Sequence, residues 1–203
     1  SFSDGISHPE YNMLSEDERV PLRNKSLLGR YPPGSTFKPV TALAALEAGV
    51  DPEEVVYCGG GYQLGNRRFG CLGVHGPVNQ HRAIARSSNT YFYTMSRRIG
   101  SPSIAESARG LGLGQDYPIP VANQNYGTVP DDEWVVRRHN RDWTDADTLN
   151  TSIGQGYLLT TPLQLAVMSA RIASGRAVVP KLVDPSGNPA PLISGISREN
   201  LEL

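Results

Sequence analysis

Residues 30–39 read Arg30-Tyr31-Pro32-Pro33-Gly34-Ser35-Thr36-Phe37-Lys38-Pro39, and the apolar run Val40 to Ala48 follows, closed by Gly49. Pro-Pro-Gly predicts a turn, and the apolar run ending in glycine predicts a helix. A serine three residues before a lysine lies on the same helix face, so the amine can reach the hydroxyl. A serine hydroxyl is a weak nucleophile until a neighbouring base takes its proton, and Lys38 is placed for that task. Ser35 falls at the expected helix N-terminus, where free N–H groups and the macrodipole stabilise developing negative charge. Pro39 lacks an N–H, which costs little so early in a helix. By itself Ser-x-x-Lys is a weak pattern that a serine cap beside an exposed lysine also satisfies. The composition sharpens it: the chain has 16 arginines but three lysines, Lys25, Lys38 and Lys181.

Outward from this stretch, Ser1 to Arg30 reads as an extended lead-in with one short polar helix around Glu16 to Arg19. Val55 to Gly76 is dense in glycine and aromatic residues, the signature of a β-hairpin with tight turns. Asn79 to Ile99 reads as helix, broken near Ser87-Ser88-Asn89 and stopped by Gly100. A further helix is expected over Ser103 to Leu111, ended by Gly112. Gly114 to Asn150 is polar and proline-rich, a long excursion carrying the basic run Arg137 to Arg141. Thr161-Pro162 reads as an N-cap and first helical position. The run Leu163 to Ala173 is apolar on nearly all sides and is expected to be buried.

At 203 residues the chain can bury one sizeable core. A net charge of -1 argues against a polyanion-binding surface, so nucleic acid is not an expected partner. No apolar stretch approaches the roughly 20 residues of a membrane span.

Three segments together resemble the penicillin-binding transpeptidases: "RYPPGSTFK" (30–38), Ser87-Ser88-Asn89 ahead of "TYFY", and Ile153-Gly154-Gln155-Gly156 before "TPLQLA". With the opening "DGISHPEYN" they are most similar to the penicillin-binding protein 2 family, in order over nearly the whole chain. The resemblance implies an α/β (α+β) fold of the serine β-lactamase-like class, with helices flanking an antiparallel sheet. It implies one transpeptidase domain over residues 1–203, with a hairpin subregion at 55–76. It further implies a peptidoglycan D,D-transpeptidase of cell elongation that works through a Ser35 acyl-enzyme and is a target of β-lactams. The expected partners are stem peptides and cell-elongation membrane proteins such as a glycosyltransferase. The expected location is the periplasmic face of the inner membrane, held by an N-terminal helix absent from this chain. No organic cofactor is implied. The family's roles carry to Ser35 as nucleophile, Lys38 as base, Ser87 as proton relay and Asn89 as a ligand of substrate backbone and lysine. A relay hydroxyl moves a proton from Ser35 to the leaving amine without changing charge. Asn89 departs from the aspartate usual in this family, although asparagine is common across the superfamily. The third motif, Lys-(Ser/Thr)-Gly on an edge strand, occurs nowhere in the 203 residues. Truncation is the expected reason. A D,D-carboxypeptidase or a non-catalytic interaction scaffold are the alternatives.

Cys58 and Cys71 flank the hairpin, with His75 and His81 behind them. In an oxidising compartment two cysteines form a disulfide by default. The spacing C-x₁₂-C-x₃-H-x₅-H also resembles a tetrahedral zinc site. Some members of the resembled family bind zinc here through carboxylates, a turn histidine and a cysteine of the second motif. By that comparison Cys58 and Cys71 replace the carboxylates and His75 is the turn histidine. Ser88 stands where the fourth ligand would be, and His81, two helical turns earlier, is the candidate substitute. A structural zinc and a disulfide both stay open at this point.

Overall fold

A computed structural model describes residues 5–183 and 189–203, so the first four residues of the expected lead-in lie outside it. In chain order the described residues form α1 (His8–Glu16), α2 (Lys25–Leu28), a 3₁₀ turn (Gly34–Phe37), α3 (Lys38–Glu47), β1 (Val56–Leu64), β2 (Arg67–Val78), α4 (Gln80–Ala85), α5 (Asn89–Gly110), α6 (Asp132–His139), α7 (Asp145–Ser152), α8 (Pro162–Ser174) and α9 (Arg198–Glu202). None of these helices is long and apolar enough to cross a membrane.

The core forms around α3, in which every residue from Val40 to Leu46 is buried. An Ala- and Leu-rich sequence gives strong helix propensity, and its alternation of small and large side chains decides what can approach. Ala42 and Ala45 leave room for Tyr91, Phe92 and Met95 of α5. Val40, Leu43, Ala44 and Leu46 join Ile104, Ala105 and Ala108 from the far half of α5, with Leu158 and Met168. Helix α5 bends between these two contacts, because Gly100 sits at φ 81° and ψ 165° and Pro102 follows. The glycine expected to stop the helix thus makes a kink, and the Ser103–Leu111 helix continues beyond it.

Strands β1 and β2 pair antiparallel as a two-stranded hairpin, the sheet among the described residues, with register shifts around Gly59. It runs two residues beyond the expected 55–76. Phe69 and Cys58 point inward, Phe69 against Tyr93 and Leu149, and Cys58 among Val78, Ala83 and Phe92. The hairpin therefore lies over the N-terminal half of α5.

Three expectations about elements need correction. The lead-in helix is His8–Glu16, closing where a helix was expected to begin. Ser7 and Glu10 form a capping box and Pro9 stands in the first turn, and this local chemistry outweighs the charged run after it. The long excursion holds two helices, α6 and α7. Helix α8 is buried on one side only: Gln164, Val167, Met168 and Arg171 are covered, while Ala166, Ser169, Ala170 and Ala173 are exposed. Its alanines satisfied the apolar pattern without the bulk that demands burial.

Candidate active site

Ser35 lies in the 3₁₀ turn and Lys38 begins α3, so the two occupy consecutive turns at the entrance of the buried helix. The turn is seated by close backbone approach. Gly34, at φ 58°, donates its N–H to the Gly154 carbonyl at 2.9 Å, and Gly154, at φ 75°, lies against the Gly34 backbone. A Cβ on Gly154 would collide with the Gly34 carbonyl oxygen. Gly154 is thus packed against the residue before Ser35. Tyr31 pairs with Thr160 in a short antiparallel bridge that holds the segment's other end.

The Ser87-Ser88-Asn89 segment reaches the same place from α4 and α5. Helix α4 ends at Ala85, Ser87 takes a left-handed φ of 53°, and α5 starts at Asn89. That sharp corner, unusual for a residue with a Cβ, turns the Ser87 hydroxyl toward Ser35. The Ser87 Oγ donates to Ser35 Oγ at 2.8 Å. Lys38 Nζ donates to Ser87 Oγ at 2.8 Å, to the Ser87 carbonyl at 2.6 Å and to Asn89 Oδ1 at 2.7 Å. The three donors of the ammonium are all used. Lys38 therefore meets Ser35 through Ser87, where direct contact along one helix face was expected. The 3₁₀ turn displaces Ser35 from the α-helical position that the i, i+3 geometry assumes.

Lys38 is almost fully buried, and its amine lies 5.6 Å from the Phe92 ring centroid. Burial pushes its pKa down to about 8, against a smaller upward pull from Cys71. A lysine in this state carries a larger neutral fraction near neutral pH than an exposed lysine does. With the nearby hydroxyls the group can take the proton of Ser35 through Ser87 and return it to a leaving group.

The hairpin is tied to this centre through Asn89. Its side-chain N–H donates to the Gly70 carbonyl at 3.1 Å, and its backbone N–H to Cys71 Sγ at 3.2 Å. Behind it Cys58, Cys71 and His75 offer ligand atoms that all lie within 4.8 Å of one another. The two sulfurs are 3.5 Å apart and both thiols are free. Burial pushes the Cys58 thiol up, but hydrogen bonding with the Ser88 and Thr90 side chains and the Gly60 and His75 backbone outweighs it, bringing it to about 6. His75 Nε2 is buried and has no hydrogen-bond partner among the described residues. His81 does not join this group, which corrects the four-ligand expectation. It is exposed on α4 and lines an apolar hollow with Pro39 and Leu43. Two helical turns would bring His81 to Ser88 only along one continuous helix, and the corner at Ser87 breaks it. Ser88 Oγ lies nearer, 3.9 Å from Cys71 Sγ.

Residues 6–192 match the penicillin binding protein transpeptidase domain. The chain belongs to that family. As a penicillin-binding transpeptidase-family chain it is 35% identical over 191 residues to the peptidoglycan D,D-transpeptidase MrdA of Acinetobacter baumannii, covering 90% of this chain and 28% of that protein. Among solved structures it is similar to the complex of penicillin-binding protein PBP2 and MreC from Helicobacter pylori, with TM-score 0.89 and 30% identity over 98% of this chain and 38% of that one. It is also similar to PBP2 of Pseudomonas aeruginosa in complex with WCK 5153, with TM-score 0.86 and 35% identity over 98% of this chain and 48% of that one. The chain thus spans less than half the length of each of these relatives. The mixed fold of helices with an antiparallel pair agrees with the penicillin-binding protein fold of these structures.

Proposed function

We propose that this chain carries the acyl-transfer centre of a peptidoglycan D,D-transpeptidase of cell elongation, with Ser35 as the nucleophile. The hydrogen-bond path from Lys38 through Ser87 to Ser35 is the observation that carries this reading. Ser35 Oγ attacks the carbonyl between the two terminal D-alanines of a stem peptide. Its proton leaves through Ser87 toward Lys38 and is delivered to the departing nitrogen. D-Alanine is released as the amine, and the acyl group remains on Ser35 as an ester. An amine of a neighbouring strand then attacks that ester, its proton returns along the same path, and Ser35 is restored. Asn89, fixed by Gly70 and Lys38, holds the substrate backbone. No Lys-(Ser/Thr)-Gly segment occurs in these residues. The residues in hand therefore do not include that motif's donor to the substrate carboxylate or its share of the oxyanion hole. One such donor is typically worth about 10²–10³ in rate.

Cys58, Cys71 and His75 would hold one structural zinc ion. Thiolates with an imidazole suit that metal, and the buried His75 Nε2 has no other partner among the described residues. Zinc would fix the hairpin, and through it Asn89, and would take no part in acyl transfer. By the same reading the protein faces the periplasm from the inner membrane and is acylated by β-lactams. Its partners are cell-elongation membrane proteins, MreC-like and glycosyltransferase components among them.

The mass of the full-length protein after incubation with a penicillin tests the reaction. One adduct on the unaltered protein and none on Ser35→Ala is expected; stoichiometric labelling of Ser35→Ala overturns the assignment. Elemental analysis after purification without added metal is expected to find one zinc per chain. A mass two hydrogens below the reduced value, with no zinc, would mean that the two cysteines are a disulfide.

A further inference from the structure

The Gly154–Tyr157 turn that seats Ser35 on one side forms part of a second concavity on the other. Gly156 and Tyr157 line an open cleft of about 670 Å³, together with Arg30, Arg109, Trp134 and Arg138. Among the described residues no acidic side chain lines it. Arg109 is paired with Asp131 at 2.5 Å. Arg30 and Arg138 form no ion pair among the described residues. Both guanidiniums are exposed.

The aromatic wall of the cleft is built rather than incidental. Trp134, His139 and Tyr157 cluster, with Tyr157 stacked on His139 at 4.4 Å and 28° and tilted against Trp134 at 5.3 Å. Arg141 fixes Tyr157 by a 3.2 Å hydrogen bond to its hydroxyl, and Asp147 clamps Arg141 at 2.8 and 2.9 Å. Arg138 and His139, in the last turn of α6, line the cleft beside this wall. An aromatic surface flanked by the Arg30 and Arg138 guanidiniums suits a carboxylate-bearing peptide, because each guanidinium can bind a carboxylate with two parallel hydrogen bonds.

We propose that this cleft binds the carboxylates of a peptidoglycan stem peptide, on stretches of strand away from the bond that reacts at Ser35. The proposal rests on the peptidoglycan reading given above and names a second contact for the same polymer. One turn joins the two places: Gly154 touches the residue before Ser35, and Gly156 and Tyr157 face the cleft. A strand held at Ser35 and continuing past that turn meets Arg138 and Arg30. Binding there adds affinity for long, charged substrate without touching the reacting atoms.

The test uses the full-length protein and a soluble disaccharide tetrapeptide, which lacks the terminal D-alanine and so cannot acylate Ser35. Calorimetry should show binding that weakens with added salt. The Arg138→Glu and Arg30→Glu variants with the free acid should each bind at least about tenfold more weakly, the size expected for one hydrogen-bonded charge contact, and the same probe with amidated carboxylates should bind more weakly still. Circular dichroism melting checks that both variants fold, and the amidated probe needs no variant at all. No binding of the tetrapeptide, or binding indifferent to amidation and to both substitutions, overturns the proposal. So does preferential capture of phosphatidylglycerol vesicles through these arginines, which would make the cleft a lipid-facing surface. Penicillin labelling of the unaltered protein is read in parallel. Labelling without cleft binding removes this inference alone, whereas cleft binding without labelling removes the Ser35 reading.

Discussion

The two sides of the Gly154–Tyr157 turn contrast sharply. On the Ser35 side, Lys38 is buried, all three of its donors are engaged and it titrates near 8. On the other side, Arg30 and Arg138 are exposed, without ion-pair partners among the described residues. Chemistry needs a group whose proton affinity has been tuned, and burial does the tuning. Recognition of a charged polymer needs cations that keep their charge and stay within reach, so exposure serves it better. Lysine and arginine divide between the two sides accordingly, since a guanidinium stays charged where an amine can be neutralised.

The largest effect should come from removing the tuned group. Lys38→Met is expected to slow penicillin acylation of the full-length protein by about 10²–10⁴, the usual worth of a positioned base. With Lys38 as the proposed base, the rate should also depend on pH: the neutral amine would take the proton, and its fraction grows with pH until the pKa of about 8 is passed. Acylation should therefore rise about tenfold per pH unit below that point and level off above it. A rate flat from pH 6 to 9 would show that Lys38 is not the base, and would leave the contrast without its chemical half.

Gly154→Ala probes the turn shared by both sides. The new methyl meets the Gly34 carbonyl, and the backbone is held at φ 75°. A loss of about 1–3 kcal/mol is expected from strain alone, read as a lowered melting temperature together with slower acylation. An unchanged melting temperature would mean that the turn yields easily and does not fix Ser35.

The smallest effect is expected on the cleft side. Asn140 closes α6 in the left-handed region at φ 51°. Glycine adopts that conformation without a Cβ penalty, so Asn140→Gly should raise stability by no more than about 1 kcal/mol. A marked loss on this substitution would show that the Asn140 side chain itself supports α6.

Some of this was legible along the chain. The helix α3 and the hairpin follow from local patterns of apolar spacing and glycine, whereas Gly100, which reads locally as a stop, kinks α5 because both halves of that helix pack against α3. Helix α6 was also written there, with Asp131 as N-cap, acidic residues in the first turn and Arg137, Arg138 and His139 in the last. Reading that run as a basic stretch in a loop hid it. The capping box of Thr144 and Asp147 announced α7 in the same way.

The sequence by itself determined which residues could do chemistry: Ser35, Lys38, Ser87 and Asn89 were identifiable from motif and resemblance, as were Cys58, Cys71 and His75. Only the tertiary structure decided how they meet. It placed Ser87 between Lys38 and Ser35, because a 3₁₀ turn and a left-handed corner shift both segments away from ideal helical geometry. It separated His81 from the cysteines, since the same corner ends the helix that would have carried it to them. It assembled the cleft from Arg30, Arg138 and Tyr157, more than a hundred residues apart at the extremes. Local propensity acts over a few residues, whereas these distances are set by which surfaces pack, and packing is a property of the whole chain.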